Sequence, residues 1–82
     1  MPIDHDLFVE KRAGERLKSL RGERRRAVFG FIDALANNPF IEGEIQFEDR
    51  KGRLLQKLTV SGFVITFHVD HAITEVKIMT LE

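Results

Sequence analysis

Residues 23–48 read ERRRAVFGFIDALANNPFIEGEIQFE, and a change of period inside this stretch decides the fold. Before Pro39 the apolar side chains recur at helical spacing, with Val28, Phe31, Ile32 and Leu35 forming one stripe. Pro39 has no amide hydrogen to donate, so it cannot continue the helix that Asn37-Asn38 already weaken. After it the period falls to two: Ile41, Ile45 and Phe47 alternate with Glu42, Glu44, Gln46 and Glu48. A helix therefore gives way to strands at Pro39.

The same reading extends in both directions. Upstream, residues 7–11 (LFVEK) form a short strand with Leu7 and Val9 on one side. From Ala13 the spacing of Ala13, Leu17 and Leu20 is helical, and Gly22 suits the end of that helix, where a left-handed conformation costs it nothing. Two helices meeting at Gly22 make a helical hairpin. Downstream, EDRKGR is a turn pivoting on Gly52, and Leu54, Leu58 and Val60 face one way with Lys57 and Thr59 opposite. Ser61-Gly62 turns into a strand with Phe63, Ile65, Phe67 and Val69 on its core side and Val64, Thr66, His68 and Asp70 on the other. A last strand places Val76 and Ile78 together. The expected fold is α+β and two-layered: a mostly antiparallel, twisted sheet of four or five strands with the N-terminal helical hairpin on one face, in the order β-α-α-β-β-β(-β).

Eighty-two residues imply one domain, 1–82. A chain this short buries roughly 60–65% of its unfolded surface, and 43% hydrophobic residues with seven Phe supply a core. The absence of Cys excludes disulfides, thiolate zinc sites and a cysteine nucleophile. The opening MPIDHDLFVEKR is acidic, unlike a signal peptide, and no apolar run nears the ~20 residues that span a membrane. A soluble, cytoplasmic protein without membrane contact is expected. Charge sums to zero but falls in blocks: residues 11–26 hold eight Lys or Arg against two Glu, 27–49 hold five acids and no base, and 50–57 hold Arg50, Lys51, Arg53 and Lys57. Such blocks suit an oppositely charged partner. They also read as solvated faces, since a pI of 6.8 lies well below the ~9 usual for nucleic-acid-binding domains.

Among the titratable residues, His68 stands on the polar side of its strand and is the candidate acid or base, histidine ordinarily titrating near ~6.5. The plainer reading, and the one the residue alone favours, is a half-exposed strand histidine. His71 reads as a turn residue, and His5 with Asp4 and Asp6 as a solvated N-terminus. A metal site from His68, Asp70 and His71 is not expected, because positions 68 and 71 point to opposite sides of a strand; no cofactor is expected either. Arg24, Arg25 and Arg26 open the long helix, where cations oppose the helix dipole, which suggests docking of an acidic segment or of RNA. Phe29 lies off the apolar stripe and is a candidate for a partner groove.

Taken in order, VEKRAGERLKSL, IDALANNP and KLTVSGFVITFHVDHAITEVKIMTL resemble the RelE/ParE superfamily of toxins from type II toxin–antitoxin systems, over roughly residues 7–81. Members commonly carry a pattern like R-x-R-x-G-D-Y-R-x-x-Y-x-x-D near the closing hairpin. Here Lys57 stands at the first basic position and Thr59 at the second, while Ser61-Gly62 replaces Gly-Asp. Phe63, Val64 and Phe67 replace Tyr, Arg and Tyr, and Asp70 is kept. The resemblance implies an antitoxin partner and one of two activities: mRNA cleavage on the ribosome, as in RelE-like members, or poisoning of DNA gyrase, as in ParE-like ones. A non-toxic adaptor of the same fold is the third reading. For cleavage, a 2′-OH attacks the adjacent phosphate, which requires proton transfer and cations for the phosphorane. The residues available are His68, Lys57 and Arg53 for catalysis, with Arg50 and Lys51 for RNA phosphates. Val64 lacks the strand arginine, there is no Tyr, and the sequence stops at MTLE, so an active enzyme would work with a reduced set.

Overall fold

The computed structural model describes residues 5–82. The elements are β1 (Asp6–Val9), α1 (Lys11–Ser19), α2 (Gly22–Asn37), β2 (Ile45–Glu48), β3 (Leu54–Val60), β4 (Phe63–Asp70) and β5 (Glu75–Leu81). The strands form one sheet in the order β1-β5-β4-β3-β2. Every pairing is antiparallel except β1 with β5, where Leu7 lies beside Val76 and Val9 beside Ile78. The fold is the expected α+β arrangement with five strands.

The helix pair covers one face of this sheet, α1 over β5 and α2 over β3. Ala13, Leu17 and Leu20 come down from α1 and its C-cap, and Val28, Ile32 and Leu35 from α2, to meet Ile65, Phe67, Val76, Ile78 and Leu81. Phe31 packs its ring edge-on to Phe67 at 5.9 Å. The period-3.6 stripe and the period-2 alternation thus bury against each other. α2 ends where Asn38 N–H donates to Ala34 O at 2.8 Å, immediately before Pro39. Gly22 has φ +63° as its left-handed role requires, but it opens α2; α1 has already ended at Ser19.

One turn and one bulge set the registers. Ser61 (φ 51°) and Gly62 (φ 83°) are both left-handed, the geometry of a two-residue hairpin whose twist suits its strands, and they place Val60 opposite Phe63. Further along, β5 carries one extra residue: Thr66 pairs with Thr80 but Phe67 with Ile78, leaving Met79 as a bulge.

Two strand features go beyond the alternation in the sequence, and one expectation, the solvated N-terminus at His5, is corrected. Ile45 and Phe47 do not join the core. Their register partners are Lys57 and Leu55, which puts them on the face without helices, where they are 58% and 37% exposed. β2 is an edge strand beyond the helical cover, so its apolar alternation faces away from the core. Leu54, on the helix side of β3, is likewise exposed because it precedes the covered part of the strand. His5 is not solvated. Asp6 N–H donates to Thr74 O at 2.8 Å and begins the pairing of β1, which draws His5 beneath the end of α2. There its amide donates to Ala36 O, its ring meets His71 edge-on at 5.7 Å, and both ring nitrogens are buried without a partner among the described residues. Asp4 lies outside the described residues.

Candidate functional site

The face of the sheet opposite the helices carries the polar positions of β3, β4 and β5. Read across the strands, one line holds Phe8, Lys77, His68, Leu55 and Phe47: Phe8 pairs with Lys77, Lys77 with His68, and Leu55 with Phe47. The next line holds Thr80, Thr66, Lys57 and Ile45. His68 and Lys57 therefore share a face, as strand parity implies, and sit diagonally on adjacent strands, about 7–8 Å apart at such positions.

His68 is fixed by a single contact. Its Nδ1 lies 2.8 Å from Leu54 O. A carbonyl only accepts, so Nδ1 carries the hydrogen; in the neutral ring Nε2 then holds the lone pair. The paired residues of β3 and β4 end at Gln56 and Phe67, and the imidazole takes the carbonyl just beyond them. The result is a ring held through one nitrogen, with the other free of the backbone.

Lys57 is half-buried, with Nζ 5.5 Å from the centroid of Phe47. Arg53 is committed differently. Its Nε donates to Asp49 Oδ2 at 2.8 Å, while Asp49 Oδ1 accepts the amides of Lys51 and Arg53, each at 2.9 Å. The amide of Arg53 first, and then its guanidinium and the Lys51 amide, hold the Asp49 carboxyl below the usual carboxylate range. Arg53 is thus a staple of the β2–β3 turn, and Arg50 and Lys51 are exposed beside it. Asp70 also serves a turn, with Oδ1 accepting the amides of Ala72 (3.0 Å) and Ile73 (3.4 Å). His71 lies in that turn, stacked on Phe40 at 5.0 Å. Among the described residues, no group of three His, Cys, Asp or Glu is placed to hold a metal.

The α2 residues lie in the other layer. Arg24, Arg25 and Arg26 are exposed on α2, with Arg24 5.6 Å over Phe63 and Arg25 4.7 Å over Phe29. Phe29 packs against the core and is capped by Arg25. The structure therefore separates the sequence candidates into two surfaces: His68 and Lys57 with the basic turn on one, the arginine run on the other.

Sequence reading missed Lys77 and Phe8. Lys77 stands between Val76 and Ile78 and so had to face outward, but its pairing with His68 depends on the β4–β5 turn. Phe8 reaches the line only through the parallel β1–β5 pairing. Their neighbours on the same face are acidic: Asp6, Glu75 and Asp70 form the adjoining line. A cavity of about 290 Å³ between α1 and the end of β5 is lined by Arg12, Ala13, Arg16, Thr80, Leu81 and Glu82, and includes neither His68 nor Lys57.

No family model and no curated protein sequence matches the chain. Solved structures do match it. The archaeal RelE–RelB complex from Pyrococcus horikoshii OT3 contains a chain with a TM-score of 0.79 at 20% identity, the match covering 95% of this chain and 92% of that one. A chain of the RelBE2 toxin–antitoxin complex from Mycobacterium tuberculosis matches with a TM-score of 0.65 at 17% identity, over 100% and 98%. A chain of the intact E. coli RelBE toxin–antitoxin complex matches at 0.63 and 13% identity, over 94% and 93%. With nearly the whole length covered in each case, the chain has the fold of RelE toxins.

Proposed function

We propose that this protein is the toxin of a type II toxin–antitoxin pair, a single-domain cytoplasmic endoribonuclease that cleaves mRNA on the ribosome. The observation that carries the reading is His68, an imidazole on the helix-free face with Nδ1–H tied to Leu54 O and Nε2 free of that bond. In the reaction, Nε2 takes the proton of a 2′-OH while O2′ bonds to the adjacent phosphorus. The P–O5′ bond breaks, leaving a 2′,3′-cyclic phosphate and a 5′-hydroxyl. Lys57 offsets the charge gathering on the phosphoryl oxygens. Val64, opposite Thr59 on this face, supplies no further cation, so the departing 5′ oxygen takes its proton from water and the reaction is slow.

The antitoxin partner is supported by the neighbours, since the Pyrococcus, Mycobacterium and E. coli chains were all solved in toxin–antitoxin complexes. On this chain the exposed run Arg24, Arg25 and Arg26, with no carboxylate partner among the described residues, is the proposed seat for an acidic antitoxin segment. Binding there would stabilise a small domain by mass action. Expression in a bacterial host, with and without the product of the adjacent gene, tests the reading. Translation arrest with cut messages, relieved by the neighbour, is expected. DNA breaks with intact messages would replace it by gyrase inhibition, and no effect on growth by a non-toxic adaptor.

A further inference from the structure

A second lysine stands beside His68 that the cleavage step does not use. Lys77 lies directly across from His68 on β5, and Lys57 lies diagonally on β3. Each ammonium is held over a ring from an edge strand: Lys77 Nζ is 5.1 Å from the centroid of Phe8 on β1, and Lys57 Nζ 5.5 Å from that of Phe47 on β2. Among the described residues the only ion pair is Asp49–Arg53, so neither lysine is neutralised. Phe8 is 48% exposed, a large ring left in water at the point where it steadies a cation. With strands about 4.8 Å apart, the line from Phe8 to Phe47 crosses about 19 Å.

We propose that single-stranded RNA crosses this sheet perpendicular to its strands, with Lys77 and Lys57 as two phosphate clamps flanking His68 and Phe8 and Phe47 as positioning residues that hold the two ammonium groups ready. The proposal rests on the reading of this face as an RNA surface and adds its path and its second clamp. A free lysine loses rotamer freedom when it binds; a ring that already orders it reduces that loss. The line of Asp6, Glu75 and Asp70 repels phosphates on one side, which confines the backbone to the lysine rows and the basic turn beyond them. Exposed rings among cations suit a base-bearing single strand better than an acidic peptide.

The test is binding of a fluorescein-labelled, fully 2′-O-methylated hexanucleotide, which cannot be cleaved, to the purified full chain by anisotropy over roughly 50–200 mM salt. Each phosphate contact on a single strand contributes about 0.7 to the slope of log affinity against log salt. Lys77→Ala should reduce that slope by about 0.7 and weaken binding by about tenfold, with Lys77→Arg restoring both. Phe8→Leu should weaken binding about two- to fivefold with the slope unchanged, and Phe8→Tyr should bind as wild type because the π face is kept. Thermal melts confirm that the variants fold. A wild-type slope in Lys77→Ala, equal binding by Phe8→Leu and wild type, or no oligonucleotide binding with capture of an acidic peptide instead would each overturn the proposal. Absent cleavage with this binding pattern removes the interferase reading alone, and His68-dependent cleavage with an unchanged Lys77→Ala slope removes the clamps alone.

Discussion

Replacing His68 separates its structural contact from its chemistry. The ring makes one hydrogen bond, Nδ1–H to Leu54 O at 2.8 Å, at an exposed position. Losing a neutral bond of this kind costs about 0.5–1.5 kcal/mol, and for a domain of this size about 1 kcal/mol lowers the melting temperature by roughly 4–8 °C. His68→Ala should therefore remain folded with a modest shift. His68→Gln can return an N–H to the same carbonyl and should melt nearer to wild type. Neither provides a base at neutral pH. General base catalysis is worth about 10²–10⁴ in rate, or about 2.7–5.4 kcal/mol of transition-state stabilisation, so both variants should lose cleavage to that degree. Single-turnover cleavage of a message on programmed ribosomes reads the rate, and circular dichroism reads the melt. Robust cleavage by His68→Gln would refute the assignment of the proton transfer to this ring.

Val64→Arg places a cation on the helix-free face opposite Thr59 and should raise the cleavage rate on ribosomes by about 10²–10³-fold, the usual worth of one preorganised charge donor. Gly43→Ala would bring a Cβ within 2.8 Å of Lys57 O and 2.9 Å of Gln56 Cβ, against a Gly43 amide that already donates to Gln56 Oε1; a loss of about 1–3 kcal/mol is expected in denaturant melts. Asp49 titrates below its ordinary range in the folded protein, so its contribution is present above the unfolded-state pKa near ~3.9 and is lost as pH falls through the folded value. Asp49→Asn should accordingly flatten the fall of melting temperature below about pH 4, and an unchanged acid limb would contradict the turn staple.

The α+β order, the break at Pro39 and the Ser61-Gly62 turn were legible because each is local. Helical spacing, a missing amide hydrogen and a left-handed glycine act within a few residues. The shared face of Lys57 and His68 was also legible, since strand parity fixes it once the two-residue turn is known. What the sequence withheld depends on pairing at a distance. Ile45 and Phe47 alternate as a core strand would, and only the register against Lys57 and Leu55 turns them outward. Lys77 meets His68 through a turn and before a bulge at Met79 that no periodicity marks. Arg53 reads as free for phosphate in the sequence, but Asp49, four residues earlier, holds it in the fold. His5 read as solvent-exposed because its burial comes from the parallel pairing of β1 with β5, the longest-range contact in the sheet.

The most direct measurement adds purified wild-type protein to programmed ribosomes and maps the message by primer extension with end-group analysis, beside a gyrase supercoiling reaction run with the same preparation. Messages cut on the ribosome, ending in 2′,3′-cyclic phosphates and 5′-hydroxyls, with gyrase unaffected, are the predicted result. Intact messages together with gyrase-dependent double-strand breaks would contradict the ribonuclease reading and transfer the function to DNA.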